Sequence, residues 1–237
     1  MLFRSKLEKD YAALKAALKS PEIPAKPTLE QLKELASANP GSFRVQMELA
    51  SALHQAKDPD GAIQAAERAA KLIPAANGPS NPNLFIAAVA TEKGDTARAI
   101  QAYDALLKVD SNDVESARKL AVLIAPLKDE ARTAAVNTMV AQLDPFDASA
   151  QAVVGRYALK QKNTPLAIRA FRAALAGGPP DRATAFADLA EAHFMAGQYA
   201  DAKRQALAAL EIAPSFERAQ DLLLKIVDAQ PKAGGGV

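Results

Sequence analysis

Residues 183–216 read Ala183-Thr-Ala-Phe-Ala-Asp-Leu-Ala-Glu-Ala-His-Phe-Met-Ala-Gly-Gln-Tyr-Ala-Asp-Ala-Lys-Arg-Gln-Ala-Leu-Ala-Ala-Leu-Glu-Ile-Ala-Pro-Ser-Phe216. Phe186, Leu189, Ala190 and His193 recur at three- and four-residue steps, which places them on one face of a helix. Gly197, inside Ala196-Gly-Gln-Tyr-Ala200, supplies a turn. Ala202, Ala206 and Ala209 then mark a second helix. Pro214 stops it, because proline has no N–H and disfavours helix in the residue before it. The segment predicts two helices joined by a tight turn, with small residues where they must approach closely.

The same pattern recurs along the chain on a ruler of prolines. Pro40 and Pro74 are 34 residues apart, as are Pro145 and Pro179, and Pro214 follows 35 later. Pro74 to Pro145 spans 71 residues, two periods plus three, and the loop Ala75-Ala-Asn-Gly-Pro-Ser-Asn-Pro82 accommodates the surplus. Where a proline is missing, at Ser111, the sequence Val109-Asp-Ser-Asn-Asp113 is rich in turn formers. The expected copies are 43–79, 80–113, 114–147, 148–182 and 183–216, preceded by a half repeat over 28–42. The copy from Val114 is degenerate and lacks the turn glycine, whereas Gly155 is the small first-helix residue of the copy from Ala148. A capping helix is expected over 217–229, with Leu222, Leu223, Leu224, Ile226 and Val227 covering the last hairpin, then a frayed tail over 230–237.

This 34-residue helix–turn–helix period, with its turn glycine, paired alanines and terminal proline, resembles the tetratricopeptide repeat. It departs at His193, where the family usually has Tyr, and at Ala206, where it usually has an aromatic residue. The resemblance implies an all-α, right-handed α-solenoid whose concave groove, lined by first helices, takes a protein or peptide partner. Register assigns to that groove Met47, Ser51 and His54; Leu84, Ala88 and Thr91; Arg118 and Val122; Ala152, Arg156 and Leu159; Ala187, Glu191 and Phe194; and Asp221. Two guanidinium groups among apolar positions would suit an extended segment with apolar and acidic residues, or else they are solvated helix charges. The Lys/Asn/Arg clamp by which some members hold a C-terminal carboxylate is absent. The segments Ala202–Lys225 and Leu143–Ala148 also resemble, loosely, the repeats that follow a peptidase-MA-like zinc hydrolase domain in bacterial proteins. That likeness implies an accessory role beside an upstream catalytic domain; a bacterial envelope assembly subunit is a third reading.

Composition limits the alternatives. Lys+Arg 29 against Asp+Glu 27 lacks the electrostatic footprint of a nucleic-acid binder. With no Cys, disulfides and thiolate metal sites are excluded. The apolar run around Leu120–Leu127 contains Pro126 and is too short to span a bilayer. Neither His54 nor His193 has a second histidine at metal spacing, and no Gly-rich phosphate loop precedes a helix. Catalytic, cofactor and metal residues are therefore not assigned, and the chain reads as a non-enzymatic interaction scaffold.

The N-terminus reads differently. Met1-Leu-Phe-Arg-Ser5 matches the translation of a common sequencing-adaptor end, so 1–5 are expected to be foreign residues on a piece of a longer protein. A helix carrying Leu7, Tyr11, Leu14 and Leu18 and a Pro-rich linker fill 6–27. The compartment, cytoplasm or periplasm, and the oligomeric state are left open by these residues.

Overall fold

A computed structural model describes residues 9–15, 18 and 21–229. Residues 1–5, Leu7 and the tail 230–237 lie outside the described residues. Residues 9–15 and 18 are helical, and Tyr11, Leu14 and Leu18 are exposed on them. Every regular element among the described residues is a helix.

The chain divides into two compact units, Met1–Ser116 and Ala117–Val237. The first holds α1 (Leu29–Ala38), α2 (Phe43–Gln55), α3 (Pro59–Leu72), α4 (Pro82–Lys93) and α5 (Thr96–Val109). Helix α6 (Val114–Ile124) runs across the division. The second unit continues with α7 (Glu130–Leu143), α8 (Ala148–Lys160), α9 (Thr164–Ala176), α10 (Arg182–Met195), α11 (Tyr199–Ile212) and α12 (Glu217–Ala229). In the first unit α2 packs on α3 and α4 on α5, with α3 against α4 joining the two hairpins and α1 lying on α2. In the second, α8 packs on α9 and α10 on α11, α9 joins α10, and α12 lies against both α10 and α11. Hairpins stacked by their neighbours, with no strand between them, make the all-α solenoid class expected from the repeat.

Local chemistry explains where each helix starts. Thr28 and Gln31 form a capping box on α1: the Gln31 N–H donates to Thr28 Oγ1 at 3.2 Å and the Thr28 N–H to Gln31 Oε1 at 2.9 Å. Asp58, Asp95, Asp129 and Asn163 cap the second helices by accepting from the N–H three residues on. The residue before the N-cap has left-handed backbone in all five hairpins, including that of Gln198, which makes no side-chain cap. That residue is Gly94 (φ 80°) or Gly197 (φ 73°) in two hairpins, but Lys57 (φ 64°), Lys128 (φ 58°) and Lys162 (φ 57°) in the other three. The degenerate hairpin thus keeps the turn without its glycine, and a lysine bears a conformation that costs on the order of 1 kcal/mol.

Helix ends obey one geometry with two chemistries. Ile73, Asp144 and Ala213 each leave the helix at φ near −130° (−132°, −129° and −134°) immediately before a proline. Asp110 adopts φ −125° with Ser111 after it, and its carboxylate accepts from the Asn112 N–H at 3.3 Å, an Asx-turn in place of the missing ring.

The core is made of small residues at close helix crossings. Ala62, Ala66 and Ala69 on α3, Ala167 on α9 and Ala202, Ala206 and Ala209 on α11 are all at 0% exposure. The capping helix differs from expectation. Ala219, Leu222 and Ile226 are buried, but Leu224 and Val227 are 65% and 51% exposed. At about 100° per residue one helix face cannot hold all five large apolar positions, and the 219/222/226 stripe takes the inward side.

At Gly155 the α8–α9 crossing leaves no room for a side chain: a Cβ there would stand 2.5 Å from Phe171 Cε1, on a ring that is itself buried. Gly155→Ala is expected to destabilise the second unit by about 2 kcal/mol despite alanine's better helix propensity, because a packed ring cannot give way. Urea denaturation of the variant against wild type measures it; an unchanged midpoint would mean that α9 can shift freely.

Candidate interaction surface

The first helices carry the residues assigned to a groove, and they fall into two sets. In the first unit Met47 and Ser51 on α2 and Leu84 on α4 are half-buried, while Ala88 is exposed. The His54 side chain stays 37% exposed at the end of α2 but is not without partners. Its Nε2 lies 2.8 Å from Glu92 Oε2 and its ring stands edge-on to Phe85 at 6.0 Å, tying α2 to the next first helix, α4. The Thr91 hydroxyl donates to Ala87 O on its own helix at 2.7 Å.

In the second unit Val122 is 73% exposed on α6. Leu159 is 9% exposed and packs with Ile168, Phe171 and Leu189, so it belongs to the core. Phe194 is half-buried against Tyr199, ring centroids 5.9 Å apart, with Leu223 beside it. Both guanidinium groups are engaged within the unit. Arg118 donates from Nε to Asp147 Oδ2 at 2.8 Å and from Nη2 to Asp144 Oδ2 at 2.5 Å. Arg156 on α8 donates from Nε to Asp188 Oδ2 on α10 at 3.0 Å.

Asp188 is the centre of this chemistry. It is 1% exposed, and its other oxygen accepts from Arg218 Nη1 on α12 at 2.6 Å. Arg218 Nη2 in turn meets Glu191 Oε2 at 2.5 Å. One buried carboxylate therefore links three consecutive first helices. Burial works against the charge on Arg218, but its bonds to Glu191 and Asp188 outweigh that and raise its pKa further. Asp188, Arg218, Asp144 and Asp147 were not singled out by sequence reading. The available signal was their spacing from the arginines, 32 residues for Arg156–Asp188 and 30 for Asp188–Arg218, close to one repeat.

His193 occupies the core as expected from its register, 1% exposed, with Nδ1 2.6 Å from Gln198 Oε1. Among the described residues, no group of three or more His, Asp or Glu side chains is placed to hold a metal ion, and no helix is long and apolar enough to cross a membrane.

A tetratricopeptide-repeat family model matches residues 29–82 and 155–217, stretches that hold α1 to α3 and α9 to α11. The chain belongs to the tetratricopeptide-repeat family. Solved structures similar to it include MamA, 25% identical over 62% of this chain and 79% of that chain, TM-score 0.52. YrrB, a repeat protein described as having an unusual peptide-binding site, is 15% identical over 82% of this chain and 98% of that one, TM-score 0.54. A chain of the Naa15/Naa10 complex bound to HypK-THB is 16% identical over 85% of this chain but only 31% of its own length, TM-score 0.53. No curated protein matches the sequence. The tetratricopeptide pattern thus holds across His193 and Ala206, the two departures noted from it.

The charge arrangement has measurable consequences. Replacing both Arg156 and Arg218 by Ala strands a buried carboxylate and is expected to cost about 3 kcal/mol. Asp188→Asn should cost less, about 1–2 kcal/mol, because half-exposed guanidinium groups can return to water. Chemical denaturation of the variants gives the order; equal costs would mean that Asp188 is hydrated in solution. At Asp147 burial alone would raise the pKa, but bonds from the Ala150 N–H and Arg118 hold it below the ordinary carboxylate value. A depressed folded-state pKa contributes stability that is complete above about pH 4 and lost as pH falls through the lower folded value. Asp147→Asn keeps the helix cap and should cost about 1 kcal/mol at pH 7, with the gap from wild type closing below about pH 4. A gap independent of pH would sink that account.

Proposed function

We propose that this chain is a non-catalytic protein-interaction scaffold whose first-helix faces take an extended peptide segment of a partner. The observation that carries the reading is the state of those faces. Their arginines are each anchored to a carboxylate of the same unit, and small apolar side chains, Val122 at 73% exposure and Ala88, stand exposed beside them. A face of this kind offers apolar contacts without requiring a charge to be desolvated. The repeat architecture supports it, since each hairpin spends its consensus residues on packing and presents its first helix outward. The proposed contact set is Met47, Ser51, Leu84 and Ala88 in the first unit and Arg118, Val122, Arg156, Glu191 and Phe194 in the second. Leu159 contributes from beneath, through the packing of α8.

An array of capped, extended peptides probed with the full chain tests this. A subset rich in apolar residues is expected to bind, with Ala88→Glu or Val122→Glu weakening it on the order of tenfold at unchanged thermal midpoint. An array without binders, or binding indifferent to both substitutions, would remove the proposal.

A further inference from the structure

Three positions before each left-handed turn residue lies one of the last side chains of the first helix. In four hairpins that side chain is His54, Thr91, Leu159 or Phe194. His54 reaches Glu92 and Phe85, Leu159 fills the core, and Phe194 packs on Tyr199. In the hairpin of α6 and α7 the position is Ala125. Helix α6 ends at Ile124, and a 3₁₀ turn, Ala125–Leu127, carries Pro126 in place of another α-helical turn. Ala125 is exposed, and it lines an open cleft of about 380 Å³. The third hairpin therefore lacks the large side chain that packs at this position in three of the other four, Thr91 being exposed and bonded to its own helix.

The lining of the cleft gives it a chemistry. Val153 and Tyr157 on α8 offer apolar surface. Arg156 spends only Nε on Asp188, so its terminal amino groups remain for a second acceptor, and its side chain is 53% exposed. Lys128, held at φ 58° by the turn, forms no ion pair among the described residues. Lys160 and Glu130 pair with each other at the rim. Three cations stand against Glu130 in the lining and the buried Asp188 that Arg156 already meets, which leaves one positive charge in excess beside an apolar floor.

We propose that this cleft is a specificity pocket for an internal acidic side chain flanked by an apolar residue in a partner's extended segment, an inference that rests on the scaffold reading above. The carboxylate meets the end of the Arg156 guanidinium, where two parallel N–H donors match its geometry, and Lys128 adds a point charge from the turn. The flanking apolar side chain takes the space beside Val153 and Tyr157 that Ala125 leaves open. A volume near 380 Å³ is in the range that buries a group of that size.

The test uses the full chain and capped peptides with a central Asp, Glu or Asn between systematically varied neighbours, read by fluorescence anisotropy. Asp and Glu peptides with an apolar neighbour are expected to bind best, with Asn weaker on the order of tenfold. Two substitutions separate binding from folding. Ala125→Phe puts a large side chain at this position and should abolish the acidic preference. Lys128→Gly should weaken binding several-fold while raising the thermal midpoint, because glycine relieves the left-handed strain. Peptides that bind without preference for the acid, or that ignore both substitutions, overturn the pocket while sparing the wider groove. Free 4-methylpentanoate binding as tightly as the peptides overturns the peptide assignment, and absence of all peptide binding overturns both proposals.

Discussion

A helical hairpin has two apolar faces and can cover only one of them by itself. Everything in this molecule follows from having to cover the second with the next hairpin. Close stacking requires that side chains at the crossings be small, which is why most of the fully buried positions of α3, α9 and α11 are alanines and why α8 has a glycine where Phe171 lies across it. The gain is not a large apolar area per residue. It is the density with which backbone approaches backbone, where dispersion contacts are lost steeply with separation. Small residues also explain the low aromatic content, since few crossings have room for a ring.

Charge enters this scheme as a joint between hairpins. Asp188 is buried because α8, α10 and α12 converge on it, and Arg156 and Arg218 donate to its two oxygens from both sides. A pair of this kind is weak support for stability in itself, since desolvation offsets most of the attraction. It does penalise other registers, because sliding one first helix past the next would leave a carboxylate buried without a donor. The apolar residues left exposed on the same faces are those that the scaffold proposal assigns to a partner.

The third hairpin shows how much a repeat tolerates. Pro126 ends α6 early, Lys128 replaces the turn glycine, and the cap at Asp129 still forms. What is sacrificed is the large side chain that packs near the end of the first helix in three of the other hairpins. An irregularity that keeps the backbone geometry while removing one side chain creates a cavity without unfolding the array.

The residues by themselves determined the repeat, its helices and the class of the fold, because period, turn chemistry and proline stops are local properties that read directly from spacing. Gly197 was legible as a turn for the same reason, and Gly155 as a close approach. Tertiary structure decided what spacing cannot express. Leu159 sits at a groove position by register and yet points into the core, and Leu224 and Val227 lie on the capping helix without covering anything. Arg118 and Arg156 read equally well as ligands or as solvated charges until the aspartates 26 to 32 residues away came into contact with them. Helical periodicity states which residues share a face, but not which neighbour that face will meet. The partner of a side chain is set by the stacking of separate hairpins, and stacking is a sum of many weak contacts that no single residue records.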